Sequence, residues 1–195
     1  MENERQQELD AELRYAAARG KLSRIQELLA LGSNANASGS DGTTALMMAL
    51  SGSSLEAKAI VEVLLPISDL NAADVDGWSA IAWAVHWQDE RSAAMIKSML
   101  EMGARPLADK KGMTDLMRAS CQQRPDLVRA LLPFSNAKDK DGSGKTARDY
   151  AKLAGKAEAE EALARAEQAI DASAERLALE RALGGAPKMA RSQRI

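Results

Sequence analysis

Apolar residues along the chain come in short stretches of helical period that close on an apolar pair and then give way to turn-forming residues. The pairs are Leu28-Leu29, Leu64-Leu65, Met99-Leu100 and Leu131-Leu132, at steps of 36, 35 and 32 residues. Turn segments follow them: LGSNANA at 31–37, ISDLNAAD at 67–74, EMGARPLAD at 101–109 and PFSNAKDKDG at 133–142. A second signature, glycine-x-small-x-apolar, opens the next stretch in DGTTALMMA (41–49), DGWSAIAWA (76–84) and KGMTDLMRA (111–119), with glycines 35 residues apart. Each period reads as turn, helix, turn, helix. The pattern predicts helix pairs near 9–31, 44–65, 79–102, 114–132 and 146–168.

Two short helices cannot bury their apolar stripe alone, whereas stacked neighbours share one continuous core. One register position holds Leu13, Leu46, Ile81 and Leu116, and the last unit places Arg148 there, as a closing unit with a polar outer face requires. Met47, Met95, Met99 and Met102 are expected to fill gaps in the core. The SGSSLE segment (51–56) and the QDERS segment (88–92) predict irregular inter-helix turns in the second and third units.

The segments TALMMA, SAIAWA and TDLMRA, with the glycine before them and the turn after each helix pair, resemble the ankyrin repeat. They lack the proline and histidine of its T-P-L-H-x-A signature. The resemblance implies an all-α ankyrin-repeat solenoid of stacked helix-turn-helix units joined by short β-hairpin-like turns. Its units are 9–37, 38–73, 74–108, 109–138 and 139–169, the first and last being caps. Residues 170–195 fall outside: an appended helix over DASAERLALERAL (171–183), N-capped by Asp171 or Ser173, then a basic flexible tail with Lys188, Arg191 and Arg194.

Composition narrows the chemistry. The chain has 195 residues, 26 basic and 28 acidic, for a net charge of -2, so no global field draws it to nucleic acid or an anionic membrane. One cysteine, Cys121, and one histidine, His86, exclude a disulfide framework and the zinc sets that need several such ligands. SGKT (143–146) lacks the first glycine and preceding strand of a phosphate loop, and DKDGSG (139–144) lacks the final glutamate of a calcium loop, where Tyr150 stands. Both read as a hairpin turn, and no cofactor, metal or small-molecule substrate is expected. His86 and Cys121 have no catalytic context, so the chain is read as non-enzymatic. No apolar run is long enough to span a bilayer, and the charged start MENERQQELDAELR predicts a cytoplasmic protein, or one exported to a host cell by a dedicated secretion system.

What remains is a surface. The resemblance implies that hairpin tips and first helices form a concave groove gripping another protein. Unit by unit, Thr43, Trp78, Met113 and Lys145 follow the hairpin glycine. Tyr15, Met48, Trp83, Arg118 and Tyr150 share the next column, while His86, Trp87, Cys121 and Gln122 close the helices. Trp, Tyr, Arg and Met are enriched where interfaces concentrate their energy. The expected partner contacts are therefore Trp78, Trp87, Trp83, His86, Met48, Met113, Arg118, Gln122 and Tyr15, with Asp76 and Lys111 on the rim. Arg118 is expected to be a polar contact without a buried partner. The partner protein would be held in a scaffold, effector or inhibitor (immunity) role. Two alternatives are a targeting subunit for an enzyme on another chain, and nucleic-acid binding through Lys138, Lys140, Lys145, Arg148, Lys152 and Lys156, a patch that Asp139, Asp141 and Asp149 dilute.

Overall fold

The computed structural model describes residues 2–52, 54, 56–86, 92–122 and 124–184, without the side chains of 180–184. Among the described residues ten α-helices form five pairs: α1 (Glu2–Ala18) with α2 (Leu22–Ala30), α3 (Ala45–Ser51) with α4 (Ala57–Leu64), α5 (Ala80–His86) with α6 (Ser92–Glu101), α7 (Asp115–Cys121) with α8 (Pro125–Leu131), and α9 (Ala147–Leu153) with α10 (Ala157–Gly184). The first helices α1, α3, α5, α7 and α9 pack in that order, each on the next. This is the all-α solenoid, its only pairing of extended backbone among the described residues being isolated bridges at Ala73 with Ser79 and Ala108 with Thr114.

The repeating sequence signals have local causes. The small residue after each hairpin glycine is an N-cap: Thr44, Ser79, Thr114 and Thr146 accept the amides of Met47, Ala82, Met117 and Asp149. The glycine itself sits at the tip in the left-handed region, with φ of 79° at Gly42, 88° at Gly77 and 78° at Gly112. A Cβ on Gly42 would lie 2.9 Å from the backbone of the next hairpin, so the tips stack backbone to backbone. One hydrogen bond ties each tip to the one before: the amides of Val75, Lys110 and Gly142 donate to the carbonyls of Asp41, Asp76 and Lys111 at 2.9, 3.1 and 2.8 Å.

Two columns form the core. Leu13, Leu46, Ile81 and Leu116 are buried on the first helices; Leu28, Leu64, Met99, Leu131 and Leu163 are buried on the second. Arg148 is exposed at the closing unit and pairs with Glu167 and Glu160 of α10.

Three expectations change. Helix α1 starts at Glu2 rather than near residue 9. No separate helix begins at Asp171 or Ser173, because α10 runs unbroken for 28 residues, its first turns carrying Leu163 in the core column and its residues 168–179 exposed. Met47 and Met99 are buried and Met95 packs against the core, but Met102, three residues beyond Met99 and past the end of α6, is 50% exposed. The QDERS turn (apart from Ser92) and the tail from 185 onward lie outside the described residues.

Candidate functional site

Each hairpin base from the third unit onward carries an aspartate three residues before the tip glycine: Asp74, Asp109 and Asp141. One carboxylate oxygen takes two turn amides, those of Asp76 and Trp78, of Lys111 and Met113, and of Ser143 and Lys145, all at 2.8–2.9 Å. The other oxygen reaches nine residues ahead to the first helix, accepting from Trp83 Nε1 at 3.2 Å, from Arg118 and from the Tyr150 hydroxyl at 2.5 Å. Those hydrogen bonds hold the Asp141 carboxyl well below the usual carboxylate range, that of Tyr150 first, and raise the Tyr150 phenol in turn. In the second unit the aspartate is Gly39 and the residue nine ahead is Met48, so acceptor and donor are absent together.

These clamps set the floor of a groove of about 720 Å³ over the third, fourth and fifth hairpins. Trp78, Met113, Arg118 and Tyr150 line it, with Asp76, Lys110 and Lys111 among the wall residues. Trp78 is half-buried, with two rings and a guanidinium around its own ring. His86 stacks on it with centroids 4.9 Å apart and planes at 10°, Trp83 meets it edge-on at 5.6 Å, and the Arg118 guanidinium carbon lies 4.1 Å from its centroid. Partial burial, with help from the nearby Arg118 charge, holds the His86 imidazole below its ordinary range.

Of the expected contacts, the structure brings Trp78, Met113 and Arg118 into this groove and places Trp83 and His86 around Trp78. Met48 packs against the core, and Tyr15 is 60% exposed on α1, where Arg19 covers its ring. Gln122 lines a separate pocket of about 290 Å³ with Pro125 and the start of α10. Trp87 lies outside the described residues. Cys121 is exposed at the end of α7. Arg118 requires a correction, for it does have a buried partner: its side chain is 5% exposed and is ion-paired to Asp109, itself 8% exposed. Asp109, Asp141 and Tyr150 were absent from the expected contacts, although aligning the units would have shown each acid with a donor nine residues on.

A family model for ankyrin repeats, in three copies, matches residues 13–108. In residues 13–108 the chain carries ankyrin repeats. No curated protein matches it significantly. The matched stretch covers the first three units, and the fourth and fifth continue the same order of hairpin, N-cap and helix pair. Ankyrin repeats are in general protein–protein interaction modules. No helix among the described residues is long and apolar enough to cross a membrane.

One ankyrin position departs from its column in a measurable way. Ala45, Ala80 and Ala147 are buried where α3, α5 and α9 begin, and the fourth unit places Asp115 there, also buried. Burial raises its carboxyl to about 6, against the Leu107 amide at 3.0 Å and the Arg118 charge, which favour ionisation. The folded state thus holds a proton that the unfolded chain releases near pH 4, and stability falls as pH rises from about 4 to about 6, by about 3 kcal/mol in all. Asp115→Asn keeps an acceptor for Leu107 and removes the titration. Thermal melts across pH should show the variant gaining on the wild type above pH 4, and equal profiles would show that Asp115 is not desolvated.

Proposed function

We propose that the protein is a non-enzymatic binding module that grips a partner protein in the concave groove of its central repeats, in a scaffold, effector or inhibitor role. The observation that carries this reading is the groove itself: an aromatic and methionine floor held rigid by the aspartate clamps, between charged hairpin walls. Rigid aromatic anchors lose little conformational freedom on binding, which is why they concentrate binding energy. The nucleic-acid alternative gains no support, because Lys138 is paired with Asp171 and Arg148 with Glu167 and Glu160.

The test is capture from native lysate on the immobilised full chain, comparing wild type with Trp78→Ala, Met113→Ala and, on the outer face, Phe134→Ala. Trp78→Ala should weaken capture about 30-fold, the effect of losing a hot-spot residue of about 2 kcal/mol. Its ring contacts mean that it also lowers stability, by about 1–2 kcal/mol. Met113→Ala should weaken capture with a smaller change in the melt, and Phe134→Ala should not affect capture. A captured protein indifferent to both groove substitutions would refute the reading.

A further inference from the structure

Three residues after each member of the buried column Leu28, Leu64, Met99 and Leu131 stands a large apolar side chain left in water: Leu31, Ile67, Met102 and Phe134. Their exposures are 54%, 46%, 50% and 52%. The residue before each is exposed too, and these are Ala30, Pro66, Glu101 and Pro133, so Glu101 is the single charge among eight positions. Packed helices lie about 8–10 Å apart, and the eight residues therefore form one row across the first four units. The row shares no residue with the groove. Its four large side chains expose on the order of 400 Å², the size at which an apolar patch on a soluble protein marks an interaction surface.

We infer that this row is the interface of a two-fold homodimer, in which a second copy lies across it antiparallel, Leu31 against Phe134 of the other copy and Ile67 against its Met102. A two-fold interface must be complementary to itself, each position matching the one that symmetry brings opposite. Exchanging the first unit with the fourth and the second with the third sets a large apolar side chain on another at all four rungs. The charges beside the row obey the same exchange. The axis also swaps the helix side of the row for its turn side. Glu62 and Lys97 stand five residues before the row, on α4 and α6, while Asp69 and Arg105 stand two and three residues after it, in the turns. All four are exposed. Symmetry thus brings Glu62 of the second unit toward Arg105 of the third, and Lys97 of the third toward Asp69 of the second, each in the other copy. Lys97, Arg105 and Asp69 form no ion pair among the described residues, and the partner of Glu62 is Lys58, one turn further from the row, in an exposed pair that competes weakly. A foreign partner would demand no such relation between the two central units, which is why the second copy is the occupant. The row supplies about half of the ~800 Å² per partner of a standard interface, so the dimer should dissociate on dilution.

Sedimentation velocity of the full chain, from about 5 to about 500 µM, tests the idea. A dimer should build up with concentration. Ile67→Glu and Met102→Glu each put two carboxylates into the apolar strip beside the axis, and each should raise the dimer dissociation constant about tenfold or more. Leu153→Glu, at a side chain 70% exposed and outside the row, should leave it unchanged. Glu62→Lys and Arg105→Glu should each weaken the pairing, and the two together should restore it, because the reversed charges meet again across the axis. All these positions are exposed, so thermal melts should stay near wild type and separate lost association from lost fold. A chain that stays monomeric over the whole range, or a dimer indifferent to Ile67→Glu and Met102→Glu, would overturn the inference. So would a dimer lost in Leu177→Glu instead, which would assign the contact to the projecting end of α10. Charge variants that weaken pairing singly without recovery in the double would overturn the two-fold arrangement. The groove reading stands in each case, since it rests on other residues.

Discussion

Arg118→Ala should cost the fold about 3–5 kcal/mol, the range seen when one partner of a buried ion pair is removed. The side chain leaves from the middle of α7, and both it and Asp109 are withdrawn from water. Without the guanidinium, the Asp109 carboxylate keeps only the amides of Lys111 and Met113, and the buried Asp115 loses a favourable charge nearby. Trp78 loses the cation 4.1 Å from its ring. A domain of this size has about 5–15 kcal/mol in total, so urea and thermal unfolding should show the change plainly. The second unit indicates the remedy. There Gly39 and Met48 occupy the two positions, and the stack forms with neither charge. Arg118→Met combined with Asp109→Asn, which keeps an acceptor for the turn amides, should therefore recover most of the loss, since exchanging a whole buried pair for neutral groups is often close to neutral. A loss below about 1 kcal/mol in Arg118→Ala would mean that the pair is solvated and contributes as little as a surface bridge.

The same residue shows how far the sequence could be read. The repeat period, the hairpin glycines, the N-caps and the two core columns are local or strictly periodic signals, and the stack reproduces them because each unit solves the same burial problem as its neighbour. Arg118 resisted because its partner lies nine residues upstream across a hairpin, outside the i+3 and i+4 relations that a helical reading weighs. Comparing Asp74, Asp109 and Asp141 with Trp83, Arg118 and Tyr150 would have exposed the relation, whereas comparing side chains only within their own column hid it. Asp171 and Ser173 misled for a different reason. They are good caps, but a cap marks a start only where the helix before it has stopped, and α10 passes through 171 without interruption. Met102 shows the resolution limit of hydrophobic patterning: it follows Met99 by the three residues that favour a shared face, yet α6 has already ended at Glu101.

The continuity of α10 makes a final contrast testable, in which two truncations of very different size of effect share one helix. Ending the chain after Lys138 removes α9 and α10 and bares the faces of α7 and α8 on which they pack. Ala147, Ala151, Ala159 and Leu163 leave the core with them, and so does the polar outer face that Arg148, Glu160 and Glu167 provide. Repeat proteins need such closing units for solubility, so this form should aggregate or lose its cooperative melt. Ending the chain after Gln168 instead keeps Leu163 and both partners of Arg148, and removes a stretch that is exposed from 169 to 179. The cut removes the ion pair of Lys138 with Asp171, two substantially exposed side chains whose contact is worth at most about 1 kcal/mol. The melting temperature of the shorter cut should accordingly shift by no more than about 4 °C. Circular dichroism melts and size-exclusion profiles of the two forms decide the matter: a soluble 1–138 form melting like the full chain would show that the closing unit does not support the stack, and collapse of the 1–168 form would show that the projecting end of α10 has a structural role that its exposure conceals.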